Sequence, residues 1–372
     1  MTATMTPLPP AAATTPLRAR VETAEHLPAQ MSLLKAHMEL GKVRLNALVV
    51  FTTALGYVVG AQTKPQPGVI WPELLCTCLG TFLAAVGASA FNQAIEARRD
   101  ARMHRTRNRP LCTGRLTRTY AAAFGLVVSM FGVVLLFMTT TWLAAVLAAF
   151  NVILYATIYT PLKPRSTINT LVGAIVGGIP PVLGWVAAAP LSAGALVLGA
   201  ILFVWQIPHF LALCWLYRED YARGGFKMLP IVDATGRLTS RLALIYSIIL
   251  LPLCLLMVYM QHAGMIYGIA AVALAAYLVL MAGRFAITRE SRDARKLFFA
   301  SIIYLPLLAT ALMVDAKTPL TGFEQLPAGL IMQSPERFID PGSAEGMRIN
   351  KKLDEAKKAA AAAAAAEASA QK

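Results

Sequence analysis

LLCTCLGTFLAAVGASAFNQAIEARRDARMHRTRNRPL, residues 74–111, decides the fold. Its first half is almost wholly apolar. Its second half carries two acids and a dense run of arginine. About 20 mostly apolar residues are what a helix needs to cross the hydrocarbon of a bilayer. An abrupt change to arginine marks the end that stays on the cytoplasmic side.

The same pattern recurs along the chain. Nine segments read as spans, roughly 45–61, 72–95, 119–138, 141–159, 168–186, 194–216, 242–260, 265–283 and 297–314. Several contain Gly and Pro, as in INTLVGAIVGGIPPVLGW, which membrane helices tolerate because neighbouring groups re-satisfy the freed backbone. Composition agrees: 57% of residues are hydrophobic and 14% charged, with a mean hydropathy of +0.59. A soluble domain has about 25% charged residues. A length of 372 residues would suit two soluble domains, but the apolar runs argue for a single all-α bundle in lipid.

The net charge of +15 raises nucleic acid as a partner. Its distribution excludes that reading. The loops after even-numbered spans hold twenty Lys and Arg, and those after odd-numbered spans hold only Lys64. Such a bias sets orientation. It predicts a polytopic membrane protein with a cytoplasmic N-terminus and an outward C-terminus. The five cysteines are scattered without zinc-like spacing, and read as small apolar packing residues.

Residues 1–30, rich in Thr, Ala and Pro, predict a disordered leader. Arg18 and Arg20 would suit a mitochondrial transit peptide, but Glu22 and Glu25 argue against one. Residues 29–42 predict a short interfacial helix ending at Gly41. The membrane domain is expected over 31–314. A polar tail follows over 315–372, closing in an Ala run of high helix propensity.

Acids within a spanning segment are costly and suggest function. Asn92, Glu96 and Asp100 are spaced i, i+4, i+8. On a helix they drift about 80° around the axis and stack over ~12 Å, so all three can face one cavity. Mg²⁺ wants oxygen ligands and is commonly held by one or two carboxylates plus substrate phosphates. The loop beyond supplies Arg102, Arg105, Arg107 and Arg109, whose guanidinium forks suit phosphate oxygens. The bland alternative is a helix end whose charges pair in water while the arginines set topology.

A second polar cluster lies in WQIPHFLALCWLYREDYARGGFKMLP, residues 205–230. Glu219 and Asp220 are candidates for a second metal, and Arg218 and Lys227 for phosphate; a solvated loop is the competing reading. Gly224-Gly225 is a turn signal that would let the loop fold over the cavity. In the short loop near 160–167, Lys163 and Arg165 can reach the same anion or serve topology alone. Tyr155 and Tyr159 line a pocket or belong to an interfacial belt. His209, inside an apolar segment, is a buried structural histidine or a residue beside substrate. His104, in the arginine loop, reads as a phosphate contact or a solvated group.

At these residues a family resemblance appears. NQAIEARRD (92–100) followed by RTRNRPLCTGRL (105–116) resembles the first aspartate-rich motif of the intramembrane aromatic prenyltransferases. YTPLKPRSTINT (159–170), GGIPPVLGW (177–185), WQIPHF (205–210), DYARGGFKMLP (220–230) and SIIYLP (301–306) resemble one branch of that family, the protoheme IX farnesyltransferases. The likeness spans about 40–315, in order. It differs from the broader family in having Glu96 where that family carries Asp. Its second motif also lacks the paired acids on a helix: the i, i+4, i+8 positions are His209, Leu213 and Tyr217, leaving Glu219 and Asp220.

The resemblance implies nine helices around a central, lipid-open cavity. It implies Mg²⁺ as cofactor, farnesyl diphosphate and heme B as substrates, and heme O as product. Asn92, Glu96 and Asp100 would hold the metal, with Asp220 as a further catalytic acid. Arg102, Arg105, Arg109, Lys163, Arg165, Arg218 and Lys227 would face the diphosphate. Tyr155, Tyr159 and His209 would line the heme and prenyl pocket. Membrane lipid and a downstream heme-modifying enzyme are the expected partners, nucleic acid is not, and the expected location is a bacterial inner membrane. Two alternatives stand beside this reading: prenylation of a quinone precursor or chlorin, and a cation-coupled transporter.

Overall fold

The computed structural model describes residues 32–316 apart from residue 65. The leader expected over 1–30 and the tail from 317 onward, with its Ala run, lie outside the described residues.

Every expected span is a helix. A short α1 (Leu33–Leu40) precedes α2 (Val43–Ala61), α3 (Trp71–Asp100) and α4 (Arg118–Thr139). The fourth span begins as α5 (Trp142–Ile153), passes through a π-helical turn (Leu154–Tyr159) and ends in α6 (Thr160–Leu162). Then come α7 (Asn169–Ala188), α8 (Ala193–Leu216), the short α9 (Arg218–Arg223) and α10 (Leu229–Val232), and α11 (Arg237–Tyr259), α12 (Met265–Thr288) and α13 (Ser291–Val314). Among the described residues, nine helical segments are long and apolar enough to cross a membrane.

The boundaries differ most at the cation-rich end. α3 runs on to Asp100 rather than stopping near 95, and α11 and α13 begin at Arg237 and Ser291, a turn or more earlier than expected. Arg237, Arg241, Arg292, Arg295 and Lys296 therefore ride on the first two turns of helices rather than in loops. Their long stems allow this, since a charged head can reach water from an apolar helix end. Continuing the helix also keeps the backbone hydrogen-bonded.

Local sequence sets several starts. The hydroxyls of Thr117, Thr141 and Ser192 accept from the backbone N–H groups of Tyr120, Ala144 and Ala195, capping α4, α5 and α8. α1 stops at Gly41, as expected, and Lys42 adopts a left-handed conformation (φ 46°) that turns the chain into α2.

The helices close a ring. α2 packs along α7 and α3, α3 along α4, α7 on α8, α8 on α11 and α13, and α13 returns to α2. Small residues permit the tightest crossing. A side chain at Gly56 would strike the carbonyl of Pro181, and one at Gly184 the carbonyl of Thr53, so α2 and α7 touch backbone to backbone. In lipid, where hydrophobicity does not hold helices together, such close packing is a main source of association. Large apolar side chains such as Phe131, Met138 and Leu280 point outward, while Asn92, Glu96, Asp100 and Asn169 are buried.

Candidate active site

The polar interior is concentrated at the end of α3. Asn92, Glu96 and Asp100 are 0%, 5% and 1% exposed, so the stacked column expected from their spacing faces inward. Each member meets a cation from a different element. Lys42 Nζ donates to Asn92 Oδ1 at 2.6 Å. Lys163 Nζ lies 2.9 Å from Glu96 Oε1, an ion pair by distance whose angles fall short of a hydrogen bond. Arg109 Nη1 donates to Asp100 Oδ2 at 2.6 Å. The Asn92 amide also donates to Thr160 Oγ1 at 3.1 Å, just past the π-helical turn, and Thr160 donates to the Tyr155 carbonyl at 2.7 Å. π-turns within helices often occur at functional sites. This one places Tyr155 and Tyr159 side by side, ring centres 5.3 Å apart. Lys163 Nζ sits 4.6 Å over the Tyr159 ring and Lys42 Nζ 5.9 Å over that of Tyr155.

Lys42 escaped the sequence reading. Its only signal was position: a lone cation just after a helix-ending Gly and just before an apolar run. Its direction is set by neighbours. Gln93 donates to the last carbonyls of α1, Glu39 at 2.6 Å and Leu40 at 3.0 Å, and Asn46 donates to Gly41 O at 2.7 Å. Burial pushes the Lys42 ammonium down to about 7, with Arg109 and Lys163 adding repulsion against the pull of Glu96 and Asp100. Burial acts most strongly against Lys163 too, but the Glu96 carboxylate together with Tyr155 and Tyr221 outweighs it and its ammonium moves up.

The second cluster does different work from the first. Asp220 Oδ1 and Oδ2 accept from the backbone N–H groups of His104 and Arg105, at 2.9 and 3.1 Å, and Oδ1 accepts from Arg223 at 2.6 Å. Burial opposes its charge, but these hydrogen bonds hold the carboxyl below the ordinary aspartate range. Arg99 returns the grip, donating to the carbonyls of Gly224 and Gly225 at 3.2 and 3.1 Å. Gly225 has φ +69°, the turn expected of the Gly pair. Met103 packs with Cys214, Phe226 and Met228 beneath. The third loop joins them, because Lys227 N–H donates to Lys163 O at 2.8 Å and Asn169 donates to Lys227 O at 3.0 Å. Three loops thus lock into one cap at the cation-rich end.

Of the other expected phosphate contacts, Arg105 is exposed and spans Tyr217 and Tyr221, donating to the Tyr221 hydroxyl at 3.3 Å. Arg218 stacks 4.5 Å over Trp215. Arg102, Arg165 and Lys227 are exposed around the cap. His209 lies within the bundle, stacked between the rings of Trp205 and Phe298 with Nδ1 2.9 Å from Ser301 Oγ.

The column fits a hard divalent cation. Asp100 Oδ1 is buried and carries no hydrogen bond, which is costly unless something else uses it, while Glu96 Oε1 has only the Lys163 ammonium beside it. No cluster of three or more acidic, His or Cys side chains surrounds a point among the described residues. Two carboxylates and an amide leave room for phosphate and water, as Mg²⁺ prefers.

Comparison with known proteins settles the family. The model of the UbiA prenyltransferase family matches residues 49–303. The chain belongs to that family. It is therefore a prenyltransferase. It is 40% identical to the protoheme IX farnesyltransferase of Koribacter versatilis, over 77% of this chain and 95% of that protein. It is 41% identical to the mitochondrial protoheme IX farnesyltransferase of Homo sapiens, over 77% of this chain and 63% of that one. Among solved structures, a digeranylgeranylglyceryl phosphate synthase superposes with a TM-score of 0.65 at 17% identity, covering 77% of this chain and 99% of that one. A UbiA homolog from Archaeoglobus fulgidus bound to GPP and Mg²⁺ gives 0.51 at 14% identity, covering 75% and 99%. At these identities the solved structures speak for the fold.

Proposed function

We propose that this chain transfers the farnesyl group of farnesyl diphosphate to a vinyl group of heme B, giving heme O, at the cytoplasmic face of a bacterial inner membrane. The observation that carries the donor half is the buried column of Asn92, Glu96 and Asp100 with a cation on every member. Such an array suits a diphosphate and a divalent metal better than a transported cation, which would have to displace Lys42, Lys163 and Arg109 with no anion to receive them. The acceptor rests on the relatives named above and on the branch motifs at 159–170, 205–210 and 220–230. Orientation rests on the Lys and Arg bias.

Asn92, Glu96 and Asp100 would hold Mg²⁺, which when bound neutralises charge on the diphosphate. Lys42, Lys163 and Arg109 already touch the column and need only a side-chain swing to reach diphosphate oxygens. Arg105, the half-buried Arg218 and the exposed Arg102, Arg165 and Lys227 would draw the anion in from the cap. Stabilising charge as it develops on the leaving group is the main catalytic term available here. The bond between the farnesyl C1 and the diphosphate oxygen breaks, leaving an allylic cation beside the π faces of Tyr155 and Tyr159. The electrons of a heme vinyl group attack that cation. Water adds to the resulting carbocation and loses a proton, completing a hydroxyfarnesylethyl group. Asp220 acts by holding the cap shut rather than at the reacting atoms. His209, half-buried between the rings of Trp205 and Phe298, would line the part of the pocket that takes the macrocycle.

The test is acceptor choice. Purified full-length protein receives farnesyl diphosphate with heme B and a quinone precursor in one mixture, and products are read by mass spectrometry. Prenylated heme alone is expected; a prenylated quinone precursor with unchanged heme would overturn the acceptor.

A further inference from the structure

Away from the column, a groove of about 550 Å³ opens between α12 and α13 at their cation-rich ends. On α12 its wall is Tyr277, Met281 and Arg284, spaced i, i+4, i+7. On α13 it is Arg292, Arg295, Lys296 and Phe299, spaced i, i+3, i+4, i+7. Both spacings place one stripe along one helical face. The two helices run antiparallel through the tight turn at 289–290. The cations therefore share one level, and the aromatics lie ~10 Å deeper along each helix.

The charge at the mouth is answered only in part from within the protein. Two acids lie nearby: Glu290, exposed in the turn, and Asp293, which is 6% exposed, engaged by Lys296 at 3.2 Å and the Thr288 hydroxyl at 2.8 Å, and attracted by Arg284. Arg284, Arg292 and Arg295 are exposed and form no ion pair among the described residues. Below them Tyr277 and Phe299 are 48% and 55% exposed, within helices long and apolar enough to cross a membrane.

We propose that this groove binds an anionic phospholipid. Its phosphate sits among Arg284, Arg292 and Arg295, and an acyl chain runs along Met281 between Tyr277 and Phe299. A soluble phosphate would use the cations and leave the apolar half of the groove idle. Cations needed only for topology have no reason to gather on facing stripes. Basic pockets between spanning helices are a recognised way of holding anionic lipid headgroups. The lipid would clasp α12 to α13 on the side of the bundle away from α3, without touching the column.

Native mass spectrometry of the full-length protein, equilibrated with phosphatidylglycerol and phosphatidylcholine of matched chains, tests this. Wild type should retain phosphatidylglycerol preferentially. Arg292→Gln with Arg295→Gln should cut that preference by about tenfold or more. Arg237→Gln with Arg241→Gln, which removes the same charge at the same end of the bundle, should leave it intact. Equal loss in both double variants would reduce the effect to bulk charge and overturn the site. In wild type, which needs no variant to fold, displacement of the bound phosphatidylglycerol by millimolar inorganic phosphate would overturn it as well.

Discussion

The pairing of Asp100 with Arg109 invites a double-mutant cycle. The carboxylate is 1% exposed and the guanidinium 21%, at 2.6 Å. Asp100→Asn leaves Arg109 without its partner. Stranding one member of a fully buried pair costs roughly 3–5 kcal/mol. Arg109 still reaches water, so about 1–3 kcal/mol of stability is the expected loss. Arg109→Gln leaves a buried carboxylate stranded and should cost at least as much. The double variant removes both charges and should recover much of that stability. Activity should not follow. If Asp100 holds metal and Arg109 meets the diphosphate, each single variant loses on the order of 10²–10³ in kcat/KM, about 3–4 kcal/mol of transition-state stabilisation. The double variant should then be no better than the worse single. Thermal unfolding and heme O formation, both in nanodiscs, supply the two readouts. Turnover that recovers in step with stability would refute a catalytic role and leave a structural ion pair.

Other expectations follow from the same contacts. Lys42→Met, which removes the cation on Asn92, should raise KM for the prenyl diphosphate about tenfold while leaving helix content unchanged by circular dichroism; an unchanged KM would remove Lys42 from the site. Asp220→Asn should expose the amides of His104 and Arg105 to hydrogen exchange, whereas Glu219→Gln should not. In wild type the Asp220 carboxyl titrates below its unfolded value, so its contribution is complete above about pH 4 and is lost as pH falls through the lowered folded value; protection at those amides should persist at pH 5 and fail in stronger acid. Gly56→Leu would drive a side chain into the Pro181 carbonyl, and the variant should not yield folded protein; normal expression with wild-type melting would contradict the α2–α7 crossing.

The architecture was legible because lipid imposes strict terms on sequence. A spanning helix needs a long apolar run, and its Lys and Arg flanks alternate with side, so nine spans could be read with most ends close. The column was legible because i, i+4, i+8 is a helical fact and needs no tertiary knowledge. The partners of the column were legible only in part: Arg109 and Lys163 were expected at the same site, and Lys42 was not. Lys42 belongs to it because a left-handed turn and the Gln93 and Asn46 hydrogen bonds aim it across the bundle, and residues 40–46 alone do not say which helix it meets. The π-turn that sets Thr160 against Asn92 has no periodic signature. Asp220 illustrates a further limit: an acid beside a conspicuous motif suggested metal chemistry, yet its oxygens are taken by the backbone of another loop. A sequence names a carboxylate but not its hydrogen-bond partners.

The most direct measurement is the stoichiometry of a single reaction mixture. Purified full-length protein with Mg²⁺, farnesyl diphosphate and heme B in ¹⁸O-labelled water is assayed for released diphosphate and for the mass of extracted heme. The expected result is one diphosphate per heme converted, with the product heavier by a farnesyl group and a hydroxyl carrying the label. Diphosphate released while heme stays unchanged, or a prenylated heme without the labelled oxygen, would contradict transfer to the vinyl group at this site.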